Sequence, residues 1–414
     1  MNLYLAIIIG SLIGAWFLNL LAGLFTLRSL APAPPPEFSP ECDPKEYARS
    51  QEYVRANTRL NLISDLAELA LVLGMIFLGL FNALDQAVAK PALGPIWTGL
   101  AYIAVLALVC DLASLPFSLV RTFVIEERFG FNRTTPLLFI KDKLKVYLLS
   151  ALIGGPIVAG VLFFFKAAGS WAWILAWGLT SLIALFLAYL GPVLILPLFN
   201  KLAPLQEGEL KDAIQDYAQK AGFALNGIFI MDGSKRSSKA NAFITGLGGK
   251  KRISLFDTLL DRLGTNEIVS ILAHEVGHHK KAHVSKMLAL SILKTGALFY
   301  LLSIFLSLPG LHQAFGMERI TLHAGLVFFM LLYTPAGVVL SIGLNWLSRK
   351  HEFQADRFAA QSLGDPAPLI TSLKRLSLDN LSNLTPHPFN VFLHYTHPPA
   401  LQRIRALDKL DPGK

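Results

Sequence analysis

Residues Trp171–Leu196 read WAWILAWGLTSLIALFLAYLGPVLIL, a run without one charged side chain. A helix crossing the hydrocarbon of a bilayer needs about 20 apolar residues, so this stretch reads as a membrane span. Six more stretches pass the same test: Leu3–Phe25, Leu62–Leu84, Ile96–Val120, Val146–Phe165, Met287–Leu308 and Leu322–Leu347. The first lacks a basic leader, and Pro34 follows the Ala31-Pro32-Ala33 that imitates a cleavage site, so it is kept as a span rather than a signal peptide. Composition agrees. With 53% hydrophobic residues, 16% charged residues and a mean hydropathy of +0.51, the chain holds more apolar surface than a soluble core of its size would bury.

Short cytoplasmic connections should carry the lysines and arginines. The first connection holds Arg28, Lys45, Arg49, Arg55 and Arg59, and the third holds Arg121, Arg128, Arg133, Lys141, Lys143 and Lys145. The alternate connections offer Lys90, Lys166 and Arg319, one apiece. Seven spans with the N-terminus outside and the C-terminus inside satisfy this pattern. The formal net charge of +9 is therefore read as contact with membrane lipid headgroups and not with nucleic acid. Two cysteines, Cys42 and Cys110, are too few for a disulfide framework or a thiolate cluster. Charges within spans (Asp65, Glu68, Asp111 and Lys294) should face an aqueous interior or pair with one another.

The polar stretch from Asn200 to His283 opens with a helical pattern, Glu209–Ala221, followed by strand-like runs at Gly227–Met231, Asn241–Thr245 and Arg252–Phe256. The turn cluster Gly233–Lys239 and the glycines Gly246, Gly248 and Gly249 punctuate these runs, so a small sheet is expected before the helix that starts near Asn266. That helix carries Ala273-His274-Glu275-Val276-Gly277-His278, the pattern H-E-x-x-H. Positions four apart share a helix face, so His274 and His278 can reach one Zn2+ while Glu275 takes a proton from bound water. The alternative is a helix with surface histidines. His279 is rotated off the ligand face, and His283, five residues beyond His278, is set aside with it. A catalytic zinc takes a third protein ligand. The best candidate is Glu352 in HEFQAD, with Asp356 one turn on to orient a ligand histidine; the alternative is a solvated helix face beyond a span.

HEVGH followed by EFQAD beside late spans resembles the integral-membrane type I CAAX prenyl endopeptidases. Further matching motifs are SQEYVRANTRL (Ser50–Leu60), EERFGFNRTT (Glu126–Thr135), LPLFNKLAPL (Leu196–Leu205), DGSKRSSKANAF (Asp232–Phe243), KRISLFDTLL (Lys251–Leu260) and HYTHPPALQRI (His394–Ile404). Together they run through nearly the whole chain in order. The resemblance implies a mostly α, polytopic protein: seven transmembrane helices around a chamber, with a cytoplasmic zincin-like α+β protease region. It implies one Zn2+ held by His274, His278 and Glu352, Glu275 as general base, and Asp356 behind a ligand. It also places His397 and Arg403 at the active site, where they are suited to hydrogen-bond the oxyanion or substrate carbonyl, and Asn241-Ala242-Phe243 as the edge strand that pairs with extended substrate.

On this reading the chain divides into a five-span region (1–199), a protease region with sheet and HEVGH helix (200–283), two further spans (284–347) and a C-terminal catalytic region (348–414). The expected partner is a peptide or protein, the family's substrates being C-terminally prenylated CAAX peptides that lose their last three residues. The compact chain, ending without a dilysine or KDEL-type address, is expected in a bacterial inner membrane with its active site facing the cytoplasm. Two alternatives are carried: a quality-control membrane protease of the HtpX type, and a transporter or channel with a non-catalytic metal site.

Overall fold

A computed structural model of the protein describes residues 2–39, 41–246 and 251–410; Gly248 and Gly249 lie outside that set. Six helices are long and apolar enough to span a membrane: Leu3–Arg28, Pro44–Phe77, Pro95–Glu126, Pro136–Ala167, Gly169–Phe199 and His283–Phe305. A seventh span is a bent pair, Leu322–Leu332 and Thr334–Leu363, with 54° between its halves. Pro335 accounts for the bend, because it has no N–H to give to the preceding turn and its ring crowds that turn's carbonyl. All seven expected spans are present, with one boundary corrected. The second ends at Phe77 rather than Leu84, where Gly79 takes a left-handed φ of 66° and Leu80–Ala89 starts a separate helix.

The apolar windows of the six unbroken spans are only 0–17% buried. Their bare apolar surface is what a bilayer would cover, while the spans meet one another through Tyr102, Phe328, Ala176 and Phe299. Of the charges expected within spans, Asp111 is paired, accepting from Lys143 Nζ and Tyr147 Oη on the next span.

The polar stretch folds into a four-stranded sheet of order β1-β2-β4-β3. Its strands are β1 (Leu202–Pro204), β2 (Leu225–Met231), β3 (Ala242–Thr245) and β4 (Lys251–Phe256). β2 and β4 are parallel, while β1 and β3 run antiparallel on the flanks. The sequence reading missed β1, which has three residues, one of them Pro204, and no alternation long enough to register. Helix Glu209–Lys220 and the motif helix Thr265–Lys280 pack on this sheet through Ile214, Phe223, Ile228, Leu255, Leu272 and Val276.

The motif helix meets the C-terminal half of the bent span at very short range. A Cβ on Gly277 would lie 3.0 Å from the Ala355 carbonyl oxygen and 3.1 Å from its Cα. Small residues recur one turn away on both helices, as Ala273 and Ala359, each fully buried. Small side chains at four-residue spacing let two backbones touch, and this contact carries Glu352 to the histidines. Gly277→Val should therefore force the helices apart and cost about 1–3 kcal/mol, read as a lowered midpoint of thermal unfolding in detergent. Gly14→Ala, where a Cβ meets nothing within 4 Å, should leave that midpoint in place.

Candidate active site

His274 and His278 lie one turn apart on the motif helix, and the close helix contact brings Glu352 against both. One ligand-capable atom from each falls within a mutual span of 4.8 Å. His278 Nε2 is 3.1 Å from His274 Nε2 and 3.2 Å from Glu352 Oε1, and His274 Nε2 is 3.4 Å from Glu352 Oε2.

Each histidine's other nitrogen is spoken for. His274 Nδ1–H donates to Asp356 Oδ1 at 2.8 Å, which leaves its Nε2 as a bare lone pair. His278 Nδ1 is 3.1 Å from His283 Nδ1, and His283 Nε2–H donates to Gln354 Oε1 at 2.9 Å. The amide oxygen can only accept, so the proton order along the row is fixed: His283 accepts from His278, whose Nε2 is then also a lone pair. Two imidazole lone pairs and a carboxylate thus converge on one point.

That convergence fits a metal cation. Glu352 Oε2 is a buried oxygen with no hydrogen-bond partner on a residue only 4% exposed, approached only to 3.4 Å by His274 Nε2 and by Arg403 Nη1. The electrostatics of the cage favour positive charge. With no metal bound that preference falls on a proton: burial and Arg403 push the His274 imidazole down, yet Asp356 and Glu352 prevail and raise it to about 9, so a metal ion would displace the Nε2 proton to take the lone pair. Two histidines and a carboxylate are the donor set of hydrolytic zinc centres.

Glu275 turns to a cleft of about 390 Å3. Its carboxylate has no hydrogen bond or ion pair among the described residues, and burial raises its proton affinity against the pull of the neighbouring histidines. Asn241 and Ala242 line the same cleft, and Leu369, Leu373 and Leu376 add apolar surface to it. β3 is an edge: it pairs with β4 from Ala242↔Leu255 to Thr245↔Arg252, and its other side has no strand among the described residues. Asn241 extends that ladder by accepting from Phe256 N at 3.0 Å, and Phe243 packs edge-on against Phe256 at 6.2 Å.

Arg403 and His397 both line the cleft, but in different states. Arg403 is deeply buried and grips Asp356 through Nε (2.8 Å) and Nη2 (2.6 Å), with Nη1 3.4 Å from Glu352 Oε2. Its donors are committed. The His397 side chain is 66% exposed, with Nε2 3.4 Å from Glu352 Oε1 and Nδ1 beside Thr396 Oγ1. It is the freer donor.

His279 faces away from the ligands and packs edge-on against Phe223 at 5.4 Å, as its rotation on the helix requires. His283 is different, since straight-helix spacing does not apply to it. The motif helix stops at Lys280, Ala282 takes a left-handed φ of 54°, and His283 opens the next helix folded back onto His278. His351 stacks on it at 4.0 Å. Sequence spacing could not reveal this return; only the end of the apolar periodicity before Lys280 hints at a break.

Three motifs that spacing alone left without a role meet beside β3. Lys239 Nζ donates to Tyr53 Oη at 2.7 Å, lies 3.0 Å from Glu126 Oε2 and stands 4.5 Å above the Phe131 ring. Arg236 holds Asp142 with two bonds of 2.7 and 3.0 Å, and Ser238 N donates to the Phe131 carbonyl. The segment leading into the edge strand is thereby fastened to three spans. Glu126 projects from a π-helical turn, Arg121–Glu126, whose extra residue swings it towards Tyr53.

Residues 24–201 match the family described as CAAX prenyl protease N-terminal, five membrane helices, and residues 204–411 match peptidase family M48. A rice (Oryza sativa subsp. japonica) CAAX prenyl protease 1 homolog is 39% identical over 76% of this chain and 74% of its own. CAAX prenyl protease 1 of Saccharomyces cerevisiae is 35% identical over 92% of this chain and 89% of its own. The crystal structure of S. mikatae Ste24p superposes with a TM-score of 0.94 at 32% identity, covering 99% of this chain and 100% of that one. These relatives are eukaryotic and lend no support to the expected bacterial source. The five-helix match to residues 24–201 also weighs against the shorter HtpX type, and the two matched regions leave a transporter reading without footing. A polytopic membrane protein whose HEVGH helix and bent seventh span bring two histidines and a glutamate together, the chain belongs to peptidase family M48 and is a membrane metalloendopeptidase of the group bearing the CAAX prenyl protease N-terminal region.

Proposed function

We propose that the chain binds one Zn2+ through His274, His278 and Glu352 and hydrolyses a peptide bond near the C-terminus of prenylated CAAX proteins, on the cytoplasmic side of its membrane. The observation that carries this reading is the joint placement of three converging metal donors, an unpaired Glu275 carboxylate and an open strand edge in one cleft. The substrate class rests on the names of the relatives; the cytoplasmic side rests on the Lys and Arg bias of the connections that share a face with the site.

A bound zinc would polarise the scissile carbonyl and bring the pKa of water towards neutrality. The protein's own groups do the rest. An extended substrate adds to β3 at Asn241–Phe243, where backbone pairing gives affinity with little dependence on side chains. Glu275, free of other partners, accepts the proton of the attacking water and hands it to the leaving amine. His397 donates to the carbonyl oxygen as it gains charge. Arg403 acts through others, pinning Asp356 so that His274 keeps its Nδ1 proton and its Nε2 lone pair. His283 and Gln354 do the same for His278. The apolar wall of Leu369, Leu373 and Leu376 suits aliphatic side chains downstream of the cut.

Glu275→Gln should keep one zinc per chain, by elemental analysis of detergent-purified protein, while cleavage of a farnesylated CAAX peptide falls by about 10²–10⁴-fold. An unprenylated twin peptide should be cut more slowly by the wild type; equal rates would remove the lipid from the specificity, and preferred cutting of misfolded membrane proteins would favour quality control. Asp356→Asn and Gln354→Leu each leave all three donors in place, yet each should weaken zinc binding by about 10–100-fold in a chelator competition. Unchanged affinity in either would show that the corresponding histidine does not need its tautomer held.

A further inference from the structure

Connections alternate between the two faces of a seven-span bundle, and the face away from the metal site has just three sequence-isolated cations, Lys90, Lys166 and Arg319. Two of them, Lys166 and Arg319, come together on one cavity of about 430 Å3. It lies between the end of span Pro136–Ala167, the helix Leu80–Ala89, and the starts of Pro95–Val120 and Leu322–Leu332.

Its chemistry is that of an anion site. Both helices that begin there lack a side-chain cap, so their first-turn N–H groups are left without side-chain acceptors. Thr98 lines the cavity at 8% exposure, and its hydroxyl has no hydrogen-bond partner among the described residues. Thr321, also in the lining, has a buried hydroxyl oxygen with no partner. One acid, Asp85, faces the same space, but its carboxylate is compensated: Oδ2 accepts from Arg319 Nη2 at 3.0 Å and Oδ1 is 2.7 Å from His323 Nε2. Lys166 has no ion pair among the described residues, so the lining keeps net positive charge alongside two bare helix ends.

The depth of the cavity identifies the anion. Trp97 and Trp171 sit beside it in sequence and are 66% and 69% exposed, with Leu93 and Ile320 also bare at 59% and 54%. Outward-facing tryptophans mark the level of lipid headgroups, and bare aliphatic side chains there suit acyl chains. We infer that this cavity binds the phosphodiester headgroup of a membrane phospholipid, the phosphate lying among Lys166, Thr98 and the two helix N-termini, at the end of the bundle opposite the protease. Such a lipid would bridge the ends of helices that already meet below it at Gly99, where a Cβ would lie 2.7 Å from Leu162 Cδ1 and 3.1 Å from His323 Cβ.

The test uses full-length protein stripped of lipid in a neutral detergent, with native mass spectrometry and thermal unfolding as readouts. Phosphatidylglycerol should be retained as one tightly held copy and raise the unfolding midpoint, whereas chain-matched diacylglycerol should do neither. Lys166 is exposed and unpaired, so Lys166→Glu should fold normally and weaken retention by about tenfold or more. Thr98→Val, which conserves shape, should weaken it by a smaller factor. Equal retention by the wild type and both variants would overturn the assignment, as would equal protection by diacylglycerol. Protection by inorganic phosphate matching that of the lipid would also overturn it, since the site would then serve a free anion.

Discussion

The metal centre depends on one approach of two backbones. Without a side chain at Gly277, the motif helix lies against Ala355, and only at that separation does Glu352 stand within 3.4 Å of both histidines. The motif is often treated as two ligands, a base and two arbitrary residues. Here one of the residues between the histidines is where the third ligand's helix is admitted. The same approach puts Asp356, one turn beyond Glu352, against His274, so ligand and orienting carboxylate arrive on one rigid face.

Holding three acceptors together has an electrostatic cost that the surrounding residues distribute. Arg403 supplies the buried positive charge that keeps Asp356 ionised, and it reaches Glu352 with its remaining nitrogen. The arrangement also separates duties between the two residues of the HPPALQR segment. A guanidinium with both Nε and Nη2 on one carboxylate is a brace, while an imidazole two-thirds exposed at the rim of the cleft can follow a substrate oxygen.

The spans were legible because membrane crossing imposes a length and an apolarity that sequence displays directly. The juxtaposition of His274, His278, Glu352 and Asp356 was legible in part for a similar reason: each pair sits on one helix, where four-residue spacing converts to a shared face, while the meeting of the two helices was implied only by the family resemblance. What escaped the sequence depends on chain direction changing. His283 reaches His278 through a left-handed residue at Ala282, Gln354 lies off the ligand face yet meets His283 from the side, and β1 is a three-residue partner chosen by its neighbour. The clasp of Lys239 with Tyr53 and Glu126 joins residues from three distant motifs, and no periodicity within any of them encodes that meeting.

The path of the bent span ties catalysis to the bilayer. Glu352 and Asp356 stand on a helix that leaves the membrane without interruption, bent once at Tyr333 before Thr334–Leu363. Any tilt of that helix moves Glu352 relative to the histidines, which belong to a helix resting on the sheet. The edge strand is likewise fastened to spans, through Glu126 and Asp142. The candidate donors, Glu275 and the edge strand therefore take their mutual positions partly from the membrane-spanning helices. The fixed points of the site are the contacts beside it: Gly277 on Ala355, Arg403 on Asp356, and Arg236 on Asp142.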